Sequence, residues 1–192
     1  PASIEFFDKR ALDLVEAQKA ETPAFRQLQP LPENYCCAVY VEFNLDDENG
    51  LCPVLERLAP VISQSGGDPD NTWVARDELE LEKLLLFRHS VPETIDIHVE
   101  KNKKNEPEIT ILSTDMAVDD AHFDELFHLY KRDLEKSGLP CLIFGHIGEN
   151  HVHPNILARN LDEYRRGHAL FEKWARDVRD LGGTITAEHG AG

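Results

Sequence analysis

Residues 141–157 read CLIFGHIGENHVHPNIL, and this stretch decides the fold. Cys141 to Ile147 and His151 to Leu157 are short runs rich in strand-forming residues, and Gly148, Glu149 and Asn150 between them form a turn. Two such runs joined by a tight turn make a hairpin. Strands and helices alternate along the rest of the chain. A hairpin among them points to an α+β fold, a mostly antiparallel sheet covered by helices on one face in a ferredoxin-like-type layer, rather than to a doubly wound parallel sheet.

On the C-terminal side of the hairpin, Leu161 to Leu181 is helical, capped by Asn160 with Glu163 three residues on, and Gly182 and Gly183 end it before a last strand, Thr184 to Ala187. On the N-terminal side, Ile109 to Val118 reads as a strand. Asp119 or Asp120 then caps a helix with Phe123, Leu126, Phe127, Tyr130 and Leu134 at helical spacing. Arg76 to Phe87 is helical, Pro92 turns Val91 away from helix, Ile95, Ile97 and Val99 alternate as a short strand, and Lys101 to Glu108 is a solvated loop. Cys36 to Asn44 is a strand and Leu51 to Ser63 a helix that Pro60 bends or shortens. Ser3 caps an opening helix carrying Phe7, Ala11, Leu14 and Val15, which the prolines between Thr22 and Pro32 break. Residues 1–34 thus read as a linker helix and residues 35–192 as the main domain. A chain that opens on Pro1 and stops at Gly192, just past His189, reads as a C-terminally truncated fragment of a larger protein.

The 192 residues are 41% apolar and 29% charged, enough for one globular domain with a core. A net charge of -16 excludes a nucleic-acid binder, which needs a basic face. It also means that an anionic substrate has to be drawn in by local cations against the overall field. Cys36, Cys37, Cys52 and Cys141 match neither a zinc knuckle nor a disulfide framework and read as reduced, buried thiols. No apolar run approaches the ~20 residues of a transmembrane helix, so the chain has no transmembrane segment, and the expected location is cytoplasmic, with peripheral membrane contact left open for the full-length protein.

His146, His151 and His153 fall within eight residues, and Glu188 and His189 stand together beyond the long helix. Clustered His and Glu side chains suit a divalent metal. Residues two apart share a strand face, so His151 and His153 point the same way, and His146 across the turn can join either. Arg88, placed after an apolar helix, is the side chain that grips a carboxylate in a planar fork. It reads equally as an exposed helix-end arginine.

Gly145 to Asn155 resembles the G-H-[ILV]-G-D-G-N-[LI]-H-x-N signature, and Gly182 to Gly190 the G-G-[ST]-[IV]-[ST]-x-E-H-G signature, of the C-terminal substrate domain of FAD-linked 2-hydroxyacid dehydrogenases, within the vanillyl-alcohol-oxidase-like flavoproteins. That group includes D-lactate dehydrogenases, the glycolate oxidase flavin subunit and D-2-hydroxyglutarate dehydrogenase. Ile4-Glu5-Phe6-Phe7-Asp8, Phe87-Arg88-His89 with Val91-Pro92-Glu93, and Ser113-Thr114-Asp115 echo the lactate and glycolate branch in the same order.

The resemblance implies that His146, His153 and Glu188 ligate a divalent metal, zinc or manganese, that His189 is the general base, and that Asn155 and Arg88 contact the substrate carboxylate. The base takes the hydroxyl proton while hydride leaves the α-carbon for the flavin. Residues 35–192 become a substrate- and metal-binding domain. Its partners are a small 2-hydroxy acid, an FAD domain of the same polypeptide and an external electron acceptor such as a quinone or cytochrome. No glycine-rich nucleotide loop is present, so FAD is expected to be held mainly by an N-terminal domain. Glu149, Asn150 and His151 replace the Asp, Gly and Asn of the signature, and His151 is expected to support the ligands from behind. Ile111, Leu112 and Ser113 stand where some relatives carry a lysine, which favours D-lactate or glycolate over a longer diacid. Two other classes fit the residues: a metal-dependent hydrolase, which an FAD domain encoded immediately upstream excludes, and a non-catalytic metal-stabilised interaction domain, which predicts unfolding on chelation.

Overall fold

A computed structural model of the protein describes residues 1–45 and 47–189. Gly190, the last residue of the second signature, lies outside the described residues, as do Ala191 and Gly192. The five strands are β1 (Ser3–Asp8), β2 (Cys37–Glu42), β3 (Leu112–Ser113), β4 (Cys141–His146) and β5 (His151–Ile156). They form one antiparallel sheet in the order β2-β1-β4-β5-β3. The helices are α1 (Lys9–Gln18), α2 (Leu51–Gln64), α3 (Glu78–Lys103), α4 (Phe123–Ser137) and α5 (Leu161–Asp180).

The α+β architecture and the hairpin stand as read. The helices, however, cover both faces of the sheet, not one. Phe7 and Leu142 pack with Ala11 and Val15 of α1 and Val91 and Ile95 of α3. Ile143, Val152 and Ile156 pack with Leu126 and Tyr130 of α4 and Trp174 and Val178 of α5. Side chains alternate across a strand, so these are opposite faces. The unbroken apolar run of Cys141 to Phe144 is the signature of a strand covered on both sides.

Several segments depart from the local reading. Ser3–Asp8 is a central strand rather than the first turns of a helix; Asp8, not Ser3, caps α1 by accepting from the Ala11 N–H at 2.8 Å. An alternating IEFF run has pairing partners on both sides, β2 and β4, and that backbone pairing outweighs a weak helical spacing. Pro92 does not end its helix, and the strand expected at Ile95 to Val99 is helix too: α3 runs from Glu78 to Lys103, taking in the first three residues of the expected loop and leaving 104–108 non-helical as read. Phe87, Val91, Ile95 and Val99, four apart, are all buried against the sheet, and this burial offsets the missing proline N–H. Only Leu112 and Ser113 of the expected long strand join the ladder, and the expected last strand reduces to a single bridge between Ala117 and Thr184. Asp119 bonds the N–H of His122 at 3.2 Å, one residue short of α4, and His122 itself occupies the cap position. The reading of buried thiols holds for Cys141 alone: Cys36, Cys37 and Cys52 are exposed, Cys37 at the start of the edge strand β2 and Cys36 just before it. Among the described residues no helix is long and apolar enough to cross a membrane.

The α4 and α5 helices are locked by Asp133, whose Oδ2 accepts from Lys173 Nζ at 2.8 Å and from the indole N–H of fully buried Trp174 at 3.1 Å. Burial works to raise the Asp133 pKa, but Lys173, Trp174 and Arg132 together hold it below the ordinary carboxylate value. Asp133→Ala strands the indole donor and is expected to cost about 2–3 kcal/mol. A depressed folded pKa contributes its stability above the unfolded value, about 3.9, and loses it as pH falls through the lower folded value. Urea denaturation at neutral pH should therefore separate wild type from variant, and the gap should close only below about pH 4. An equal gap at every pH would assign the effect to lost packing.

Candidate metal and substrate site

The hairpin register pairs His146 with His151, Phe144 with His153 and Leu142 with Asn155, so all six face the α1 and α3 side of the sheet. The β1–β4 register pairs Phe6 with Gly145, which carries Glu5 to the side of His146. His146, His153 and Glu188 each bring one ligand atom, and these atoms lie within 4.8 Å of one another.

The ring orientations follow from their partners. His153 is buried, and its Nδ1 donates to the Thr114 carbonyl at 2.7 Å, which leaves Nε2 as the lone-pair nitrogen. Burial holds the His153 pKa below its usual value, so the ring favours the neutral form that ligates metals. His146 Nδ1 lies 2.9 Å from Glu5 Oε1, and its Nε2 faces Glu188 Oε2 at 3.2 Å. With the Nδ1 proton directed at Glu5, the Nε2 and Oε2 lone pairs oppose each other, an arrangement that a cation between them satisfies. The donor set of two imidazoles and one carboxylate fits zinc or manganese.

Glycine at 145 makes room for this. Its φ is +134°, and a Cβ there would stand 2.6 Å from His153 Cδ2. Asn150, where the signature has Gly, takes the left-handed conformation at φ 56°. Asparagine is the residue that best tolerates this region after glycine, so the departure keeps the turn. Its Nδ2 also donates to Asp120 at 2.5 Å.

Glu188 and His189 arrive on an arm that crosses the sheet edge after α5. Gly183 allows the crossing, since a Cβ there would run into the Ala117 carbonyl oxygen. Asp115 holds the arm: its Oδ1 accepts from the Glu188 N–H and its Oδ2 from the His189 N–H, each at 3.0 Å, and its carbonyl accepts from Ala187 at 2.8 Å. Burial works to raise the Asp115 pKa, but the two backbone donors and the neighbouring histidines hold it low. His189 is exposed, with its ring centroid 6.1 Å from that of His153. His151 is buried beside His153, ring centroids 4.4 Å apart. Its Nε2 lies 3.2 Å from Asp115 Oδ1 without the alignment of a hydrogen bond.

The structure thus brings His146, His153, Glu188, His189 and His151 together. Arg88 and Asn155 reach the same sheet face but are already engaged: Arg88 Nη2 donates to Glu5 Oε1 at 2.6 Å, and Asn155 Nδ2 donates to the His153 carbonyl at 2.8 Å. Glu5 and Asp115, both inside quoted segments, carried no assigned role in the sequence. The sequence shows Glu5 only as an acid set among Ile4, Phe6 and Phe7; its burial, at 3% exposure, is supplied by the structure.

The sheet presents two imidazoles and a carboxylate on one face of its central strands. The chain belongs to the FAD linked oxidases, C-terminal domain, matching that family over residues 1–192. A 94-residue stretch is 31% identical to D-lactate dehydrogenase (cytochrome) 1, mitochondrial, of Saccharomyces cerevisiae, covering 49% of this chain and 16% of that protein. A D-lactate dehydrogenase of Archaeoglobus fulgidus is 25% identical over 193 aligned positions, which take in all of this chain and 37% of the relative. The glycolate oxidase subunit GlcD of Bacillus subtilis is 39% identical over 59 residues, 30% of this chain and 13% of that protein. The chain therefore corresponds to well under half the length of each of these relatives.

Proposed function

We propose that this chain is the substrate- and metal-binding C-terminal portion of an FAD-dependent dehydrogenase that oxidises a D-2-hydroxy acid, D-lactate or glycolate, to the 2-keto acid. The convergence of His146, His153 and Glu188 within 4.8 Å carries the reading, and the relatives named for D-lactate and glycolate support the substrate class. A bound zinc or manganese ion supplies a Lewis acid at the substrate hydroxyl. His189, exposed beside the cluster, takes the hydroxyl proton. FAD, held by another domain of the same polypeptide, would supply the acceptor for the α-carbon hydride. An external acceptor such as a quinone or cytochrome would be the partner that reoxidises the flavin. Arg88 binds the substrate carboxylate through the guanidinium N–H groups that Glu5 leaves unused, and Asn155 assists from β5.

Metal analysis tests the reading. Wild-type protein is expected to carry near-stoichiometric zinc or manganese, and His146→Ala and Glu188→Ala are expected to lose it while keeping their circular dichroism. The polypeptide that also carries the FAD domain should show flavin bleaching with D-lactate or glycolate. Full metal retention in both variants would remove these residues from the ligand set, and bleaching by neither acid would remove the substrate assignment.

A further inference from the structure

Glu5 is the least expected charge in the molecule. It sits mid-strand in β1 at 3% exposure, and a buried carboxylate is costly unless it is paired and hydrogen-bonded. Three donors meet it: Ser3 Oγ at 2.8 Å and Arg88 Nη2 at 2.6 Å, both on Oε1, and His146 Nδ1 at 2.9 Å from Oε1 and 2.8 Å from Oε2. Arg88 alone would balance the charge. It engages only one oxygen, whereas the imidazole straddles both. The β1–β4 register, not the approach of α3, fixes this contact, because Glu5 and His146 are neighbours across one ladder.

We infer that Glu5 is the positioning residue for His146: its ionised carboxylate holds the proton on Nδ1 and turns Nε2, with a free lone pair, toward Glu188 and His153. A carboxylate is acceptor-only, so the nitrogen facing it has to donate, and a neutral imidazole has only one N–H to give. Arg88 and Ser3 keep Glu5 ionised where the strand has removed it from water. A ligand histidine backed by a carboxylate binds metal more tightly, because its ring is fixed and its free nitrogen is more basic. Arg88, read first as a substrate contact, acquires a second role as the charge that makes this arrangement affordable in a buried strand.

The metal part of this inference rests on the reading above, and the tautomer part does not. The test takes the wild-type chain and Glu5→Gln, in which an amide that both donates and accepts replaces the acceptor-only group. Zinc affinity is measured by chelator competition, and the His146 tautomer by nitrogen-15 NMR of the metal-free protein. Glu5→Gln is expected to weaken zinc binding about 10- to 100-fold, and His146 to change from the Nδ1–H tautomer to a mixture. Wild-type zinc affinity together with an unchanged tautomer in a folded Glu5→Gln protein overturns the inference. If the variant does not fold, wild type alone decides: Nε2–H at His146 overturns it and Nδ1–H upholds it. Absence of zinc from wild type sinks the metal reading, and the tautomer comparison then judges Glu5 by itself.

Discussion

Asp115→Asn, made in the polypeptide that also carries the FAD domain, is expected to lower kcat with D-lactate or glycolate on the order of 10²- to 10³-fold while leaving the melting temperature nearly unchanged. The carboxylate uses one oxygen for the Glu188 N–H and the other for the His189 N–H. Asparagine keeps the volume but has one acceptor, so one backbone N–H is left facing an NH₂ group. A hydrogen bond to a charged group is worth about 1.5–3 kcal/mol, and setting a donor against a donor adds to its loss. Roughly 3–4 kcal/mol lost from docking of the arm corresponds to that fall in rate at about 1.4 kcal/mol per factor of ten. Both chemical groups of the arm move together, so zinc affinity should fall along with kcat. His189→Ala, by contrast, should lower kcat and spare zinc. The arm is exposed and contributes little to the core, which is why thermal stability is the wrong readout. Wild-type turnover in the asparagine variant would show that the arm is held by something other than Asp115.

Gly145→Ala is expected to damage both fold and site. The backbone at φ +134° is one that L side chains rarely adopt, and the added methyl would meet His153 Cδ2 at 2.6 Å and the His151 carbonyl oxygen at 3.1 Å. Backbone strain of about 1–3 kcal/mol and overpacking of a similar size add to roughly 3 kcal/mol. For a domain of this size that lowers the melting temperature by about 6–12 °C. The His153 ring cannot swing clear without breaking its bond to the Thr114 carbonyl, so zinc affinity should drop with stability. Calorimetry and a zinc titration on the same preparation check both. An alanine variant with wild-type melting and wild-type affinity would mean that the hairpin opens at Gly145 at no cost.

Much of this molecule could be read one segment at a time. The hairpin at 141–157 needs only strand formers, a turn and the rule that residues two apart share a face, and it places His151 and His153 on one side before any packing is known. Asn160 caps α5 through the Glu163 N–H as its spacing indicates. These are local devices, complete within a few residues, and sequence states them directly. Asn150 is of the same kind, a turn residue whose left-handed backbone its own chemistry permits.

The segments misread are those whose local signals were balanced and whose outcome was set by distant partners. Ser3–Asp8 can be written as helix or strand until β2 and β4 pair with it on either side. Pro92 argues against helix until the sheet buries Val91 and Ile95 along one continuous stripe. The site divides in the same way. The histidines and the Glu188–His189 pair could be marked as chemistry-bearing from their types and spacing, and the motif resemblance assigned them roles. The groups that orient them could not be found this way. Glu5 meets His146 across 141 positions of sequence and Asp115 meets Glu188 across 73. Nothing in a local pattern encodes which buried carboxylate faces which ring, because that is decided by strand register and by the need of each buried charge to find its partner.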